Sequence, residues 1–154
     1  MKDKIALNLP TAPLRTRQEG TRMQVFDILR QQWVALTPEE WVRQHFVHFL
    51  IEVKRYPAGR IGNEISLKVG QTKKRCDTVI YGKHGEPVII IEYKAPSVAI
   101  TQKVFDQIWR YNLPFHVPYI VVSNGIQHYC LHIDYTNNTY HFLNHIPHTE
   151  EAIG

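Results

Sequence analysis

Apolar positions change period along this chain, and each change predicts an element. Met23, Phe26, Leu29 and Trp33 recur at helical spacing and predict a first helix over residues 18–32. Thr37-Pro38-Glu39-Glu40 then offers an N-cap, a proline at the first helical position and a glutamate at the capping-box position. Behind it, Trp41, Val42, His45, Phe46, Phe49, Leu50 and Val53 form a wide apolar stripe, which predicts a second helix to about residue 54, before Pro57. From Glu64 the period drops to two, and residues 64–69 predict a strand that turns through residues 70–74. Residues 77–81 and 87–94 predict two more strands around Gly82-Lys83-His84-Gly85-Glu86. Val104, Phe105, Ile108 and Trp109 share one face of a third helix over residues 101–112, which Pro114 stops. Residues 117–122 read as a buried strand, and residues 127–134 with 139–143 as a closing hairpin. This order predicts an α/β three-layer sandwich, a central mixed β-sheet flanked by helices.

Composition adds bounds. The 154 residues suit a single domain over 18–154, preceded by a basic arm over 1–17 that Pro10 and Pro13 interrupt and that carries Arg15 and Arg17. A formal charge of +4 permits contact with phosphates without demanding it. Cys76 and Cys130 form neither a CxxC pair nor a Cys-His metal spacing, so no disulfide framework or zinc site is expected and a reducing, cytoplasmic setting is. No apolar stretch approaches the ~20 residues a membrane span needs, and the N-terminus lacks the apolar core of a signal peptide.

The run Pro87-Val88-Ile89-Ile90-Ile91 reads as a strand buried on both faces, yet it ends in Glu92-Tyr93-Lys94. Strand alternation sends Glu92 and Lys94 to one face. If the hairpin is symmetric about its turn, Tyr81 faces Val88, Val79 faces Ile90, and Asp77 faces Glu92. Directly opposed residues hold their Cβ atoms roughly 4.5–5.5 Å apart, and two carboxylates that close call for a proton or a cation between them. The two carboxylates with a backbone carbonyl at Tyr93 make an oxygen-rich shell suited to Mg²⁺ or Mn²⁺. Lys94 beside them suits anionic chemistry at a scissile phosphate. The plain alternative is a Glu92–Lys94 ion pair at a strand end. Lys73, Lys74 and Arg75 precede Asp77 as either a phosphate-facing patch or a solvated turn.

Asp77 followed after a hairpin by Glu92-Tyr93-Lys94 resembles the Asp…(Asp/Glu)-x-Lys signature of the PD-(D/E)XK nuclease superfamily. The series Pro38-Glu39-Glu40-Trp41-Val42-Arg43-Gln44, Lys74-Arg75-Cys76-Asp77, Ile90-Ile91-Glu92-Tyr93-Lys94-Ala95 and Ser123-Asn124-Gly125 is similar to the N-terminal nuclease domain of type I restriction-enzyme R subunits. The resemblance implies a restriction-endonuclease-like fold and Mg²⁺-dependent cleavage of DNA, with Asp77 and Glu92 as metal ligands and Lys94 as the catalytic lysine. It also implies an acid from the early helix, for which Glu40 is the matching position. Glu64 is a second candidate, though its strand is expected to place it rows away from Asp77. Gln107 and Tyr111 match a Gln-x-x-x-Tyr element of RecB-type members and, four apart, share a helical face toward DNA. Cys76 stands where the superfamily usually has proline. No Gly-x-x-x-x-Gly-Lys-Ser/Thr motif is present, so translocation is not expected of this chain. A homodimer, or a separate motor or specificity subunit, would be a natural partner besides DNA, and a binding module that has lost catalysis is the alternative function.

The histidines read as bystanders. His45 and His48 lie on an apolar helix face, His84 in a turn, and His141, His145 and His148 lack an acid at useful spacing.

Overall fold

Residues 5–153 are described by a computed structural model with two β-sheets. The first is antiparallel, built from β1 (Thr16–Glu19), β2 (Arg22–Asp27) and β3 (Gln32–Ala35). It replaces the helix expected over residues 18–32. Gly20, at φ +60°, makes the reversal between β1 and β2 that a side chain would resist. At the end of β2, one Asp27 carboxylate oxygen accepts the amides of Leu29 and Arg30, both at 2.8 Å, and this local turn stops the backbone from coiling onward. Met23, Phe26 and Leu29 fit a helical stripe, but Val25 and Asp27, both buried, alternate with Gln24 and Phe26 at the period of a strand. Residues 16 and 17, assigned to a basic arm, belong to β1. The preceding segment is tied down: the Asn8 amide donates to the Gly125 carbonyl (2.8 Å), and a His128 ring nitrogen is hydrogen-bonded to the Asn8 carbonyl (2.8 Å).

Helix α1 (Pro38–Glu52) starts where its cap residues predict, with the Thr37 hydroxyl accepting from the Glu40 amide at 3.0 Å. The reciprocal half of the capping box is absent. The Thr37 amide donates to Ala35, and the Glu40 side chain turns elsewhere. Six strands follow: β4 (Ile61–Val69), β5 (Thr72–Tyr81), β6 (Pro87–Tyr93), β7 (Tyr119–Ser123), β8 (His128–Asp134) and β9 (Thr139–Leu143). Helix α2 (Gln102–Asn112) connects β6 to β7, and α3 (Thr149–Ala152) closes the described chain. The strands lie in sequence order, with β6–β7 the parallel pair. A parallel pair needs a crossover, and α2 supplies it.

The helices cover opposite faces. Val42, Phe46 and Leu50 of α1 pack on Ile80, Ile89, Ile91 and Val121. Phe105 and Ile108 of α2 pack on Ile120, Val122 and Leu131. In the β5–β6 hairpin Val79 faces Ile90 as expected. A register shift between Ile80 and Tyr81 sets Tyr81 against Pro87 instead of Val88. The β4–β5 turn is shorter than expected, and Lys73, Lys74 and Arg75 lie within β5, opposite Lys68, Leu67 and Ser66.

Candidate functional site

The β5–β6 ladder stops at Thr78↔Ile91, one residue short of Asp77 and Glu92. There the backbone pairing ends. The Tyr93 amide, instead of continuing the ladder, donates to a carboxylate oxygen of Asp77 at 2.9 Å. Alternation beyond Val79 and Ile90 carries Asp77 and Glu92 to one face, and Glu92 stands beside Val122, which packs under α2. Burial pushes the Asp77 carboxyl above its usual range, and the Tyr93 amide pulls it back; the Glu92 charge raises it again, and the net direction is up. Among the described residues, neither Asp77, Glu92 nor Lys94 forms an ion pair, so the plain Glu92–Lys94 bridge does not form. Lys94 is fixed through its backbone, its amide donating to Ser123 at 2.8 Å. Burial pushes the Cys76 thiol up to about 11, so the residue preceding Asp77 is a neutral thiol at pH 7.

The other acids are differently placed. Glu40, 6% exposed, is gripped by Arg43 through both oxygens (2.7 and 2.8 Å) and by Arg30 at 3.0 Å. Arg43 also donates to Glu64 (2.7 Å) and to the backbone carbonyl of Asp77 (2.9 Å). Glu64 is not rows away from Asp77. It lies between the paired rows Asn63↔Thr78 and Ile65↔Cys76, so it shares the row of Asp77 on the neighbouring strand, and its charge adds to those raising the Asp77 carboxyl. The sequence hides this because the register of β4 depends on the two-residue turn at Gly70. Glu64 takes a left-handed φ of 57° and is held by Arg43 and by Arg75 (2.6 Å). Burial pushes its carboxyl up, but these two arginines outweigh that and hold it below the ordinary value.

A buried relay supports the row from the other side. Tyr93 Oη donates to Thr78 Oγ1 (2.9 Å), which donates to Asn63 Oδ1 (2.7 Å), and Asn63 Nδ2 donates to Asp27 Oδ2 (2.9 Å). Thus Tyr93 is pinned at its side chain by Thr78 and at its amide by Asp77.

Known proteins decide the family. The profile of the type I restriction enzyme R protein N terminus (HSDR_N) matches residues 38–147. The chain belongs to that family. Its fold is similar to that of a fragment assigned to an HsdR subunit of a type I restriction enzyme from Vibrio vulnificus YJ016, with a TM-score of 0.53 and 19% identity. That likeness covers 76% of this chain and 24% of the other, so this chain spans about a quarter of its length. No curated protein matches it.

Within this R-protein N-terminal domain, Lys74 and Tyr111 come together, the lysine Nζ 6.0 Å from the ring centroid. Gln107 and Tyr111 line one side of a cavity of about 460 Å³ on α2 with Lys103, Asp106 and Arg110. Neither Gln107 nor Tyr111 makes a hydrogen bond to Asp77, Glu92 or Lys94. Arg75 is engaged with Glu64. Residues missed from sequence are Arg43, Arg30, Asn63 and Thr78, whose roles depend on long-range pairing; only the i,i+3 spacing of Glu40 and Arg43 was a local signal. His45 is hydrogen-bonded to the Trp41 carbonyl (2.8 Å) and its pKa is lowered by burial, as befits a helix-edge residue. His145 does meet an acid, Glu151, at 2.8 Å, because α3 folds back six residues later. No group of three His, Cys, Asp or Glu side chains converges on a metal-sized site among the described residues.

Proposed function

We propose that this chain is a metal-dependent DNA endonuclease domain of a type I restriction R subunit, with a restriction-endonuclease-like arrangement around Asp77, Glu92 and Lys94. The observation that carries the reading is a pair of half-buried carboxylates with no ion-pair partner among the described residues, where the β5–β6 ladder ends, in a molecule that matches its buried acids Asp27 and Glu40 to arginines. Two carboxylates and the Tyr93 carbonyl form a hard oxygen donor set, and a neutral Cys76 adds no soft thiolate. That set fits Mg²⁺ or Mn²⁺, which keep several waters of their own. When bound, the ion would polarise a phosphate and acidify a water.

The protein groups then have separate tasks. Asp77 and Glu92 would hold the cation, and the Tyr93 amide and Arg43 fix the Asp77 side chain and backbone. Lys94, with no carboxylate partner, is free to offset charge developing on the phosphate. Glu40 is assigned to support through Arg43 instead of to the cation. Lys74, Gln107 and Tyr111 suit contact with the DNA backbone, and Lys73 with Arg75 extend that side. The companions of such a domain in a restriction system, a motor and specificity subunits or a second copy, belong to the same proposal.

Titration calorimetry with Mn²⁺ tests the reading. The chain should bind the ion, Asp77→Ala should abolish binding, and Mg²⁺ should support nicking of plasmid DNA. Absence of Mn²⁺ binding would overturn it. Binding with intact plasmid would instead favour a module that holds DNA without cutting it.

A further inference from the structure

The outward face of the β1–β3 sheet carries charge that nothing else in the described chain neutralises. Arg15, Arg17 and Arg22 are exposed and make no ion pair among the described residues, whereas Arg30, Arg43 and Arg75 each hold a carboxylate. Two of the three are also held in place. The Arg15 guanidinium lies 4.6 Å from the Phe26 ring centroid and 5.4 Å from that of Trp33. The Arg17 guanidinium lies 4.3 Å from Trp33, and its Nε donates to Gln24 at 2.8 Å. The rows Arg17↔Gln24 and Phe26↔Trp33 put these groups on one side, while Val25 and Asp27 are buried on the other. Glu19 is the single acid on this face, opposite Arg22 at the β1–β2 turn.

Stacking a guanidinium on an aromatic ring restricts its rotamers without using its outer N–H donors, which then meet a phosphate at reduced entropic cost. The sheet is also anchored beside the candidate site. Asp27 binds Asn63, which adjoins Glu64 in the row of Asp77, and Arg30 binds Glu40. These residues precede the part of the chain that the family profile matches.

We propose that this face binds the phosphodiester backbone of DNA and extends the contact beyond the Asp77–Glu92 site. The choice of DNA as the anion rests on the nuclease reading above. The guanidinium forks match phosphate geometry, and the face carries three arginines against one glutamate.

Fluorescence anisotropy of the full chain with a labelled DNA duplex, in EDTA and across about 50–200 mM salt, separates the possibilities. Relative to wild type, R15Q/R17Q should weaken binding about tenfold and flatten the slope of log K against log salt by about 2. R55Q/K83Q, which removes the same charge elsewhere, should leave both nearly unchanged. R15K/R17K, which keeps the charge, should retain the slope. Unchanged binding by R15Q/R17Q overturns the inference, as does an equal loss in R55Q/K83Q or a lost slope in R15K/R17K, which would report a damaged sheet. A wild-type chain that binds Mn²⁺ but shows no salt-dependent DNA binding removes this surface alone. Failure of Mn²⁺ binding removes the nuclease reading instead.

Discussion

Two groups of acids are linked through Arg43 and treated in opposite ways. Glu40 and Glu64 are enclosed by Arg30, Arg43 and Arg75. Asp77 and Glu92 have no cationic side chain within ion-pair distance among the described residues, although Arg43 reaches the Asp77 carbonyl. The first arrangement resembles a structural bolt: buried charge compensated in place. The second leaves charge uncompensated, which costs stability and persists where an external cation can supply the balance. The difference teaches that neighbouring acids can be balanced in different ways, by arginine side chains for Glu40 and Glu64 and by a backbone amide for Asp77.

Removing the lysine beside the open pair should have the largest effect, and on activity. Lys94→Ala should lower the rate of plasmid cleavage by about 10²–10³-fold, with a urea midpoint close to wild type, because the side chain pairs with no acid. Breaking the bolt should strike stability instead. Arg43→Met removes the cation that Glu40 and Glu64 share and leaves them only Arg30 and the exposed Arg75, and equilibrium urea unfolding should report a loss of about 3 kcal/mol. Asn63→Ala interrupts the relay between Asp27 and Thr78 and should cost about 1–3 kcal/mol by the same measurement. Arg75→Gln, at a side chain 70% exposed, should change stability by no more than about 1 kcal/mol.

Acid titration sharpens the contrast, because the two groups respond with opposite sign. The Glu64 carboxyl is held below its ordinary 4.5, so the stability it contributes is present above that value and disappears as pH falls through the depressed one. The Asp77 carboxyl is held above its ordinary 3.8, so ionisation favours the unfolded chain, and the resulting penalty disappears as pH falls through the raised value. Thermal melts should therefore find Asp77→Asn more stable than wild type at pH 7, with the gap closing toward pH 4. Glu64→Gln should be less stable at pH 7, with its gap closing below about pH 4.

Much of this is legible in the sequence. The Val79↔Ile90 register, α1 with its Thr37 cap, α2 and the last three strands all follow from short-range periodicity, and the family follows from the four ordered segments. The small sheet is hidden because Met23, Phe26 and Leu29 recur at helical spacing, although Met23 and Phe26 lie on opposite faces of β2 and Leu29 in the turn after it, and the deciding Asp27 turn uses backbone amides that carry no residue signature. Glu64 was misplaced because a turn of two residues instead of five slides β4 along β5. Glu40 suits both a cap and a ligand in sequence, and of its arginine partners only Arg43 is local, since Arg30 comes from the turn after β2.

Gly125 makes room for the leading segment. With φ +86° it sits beneath Leu7, and a methyl group there would come within 2.7 Å of the leucine side chain. An alanine at this position would act as a wedge under a latch, prising the leading segment from the β7–β8 corner. Its signature would be new protease nicks upstream of residue 15, ahead of any change in the helical signal.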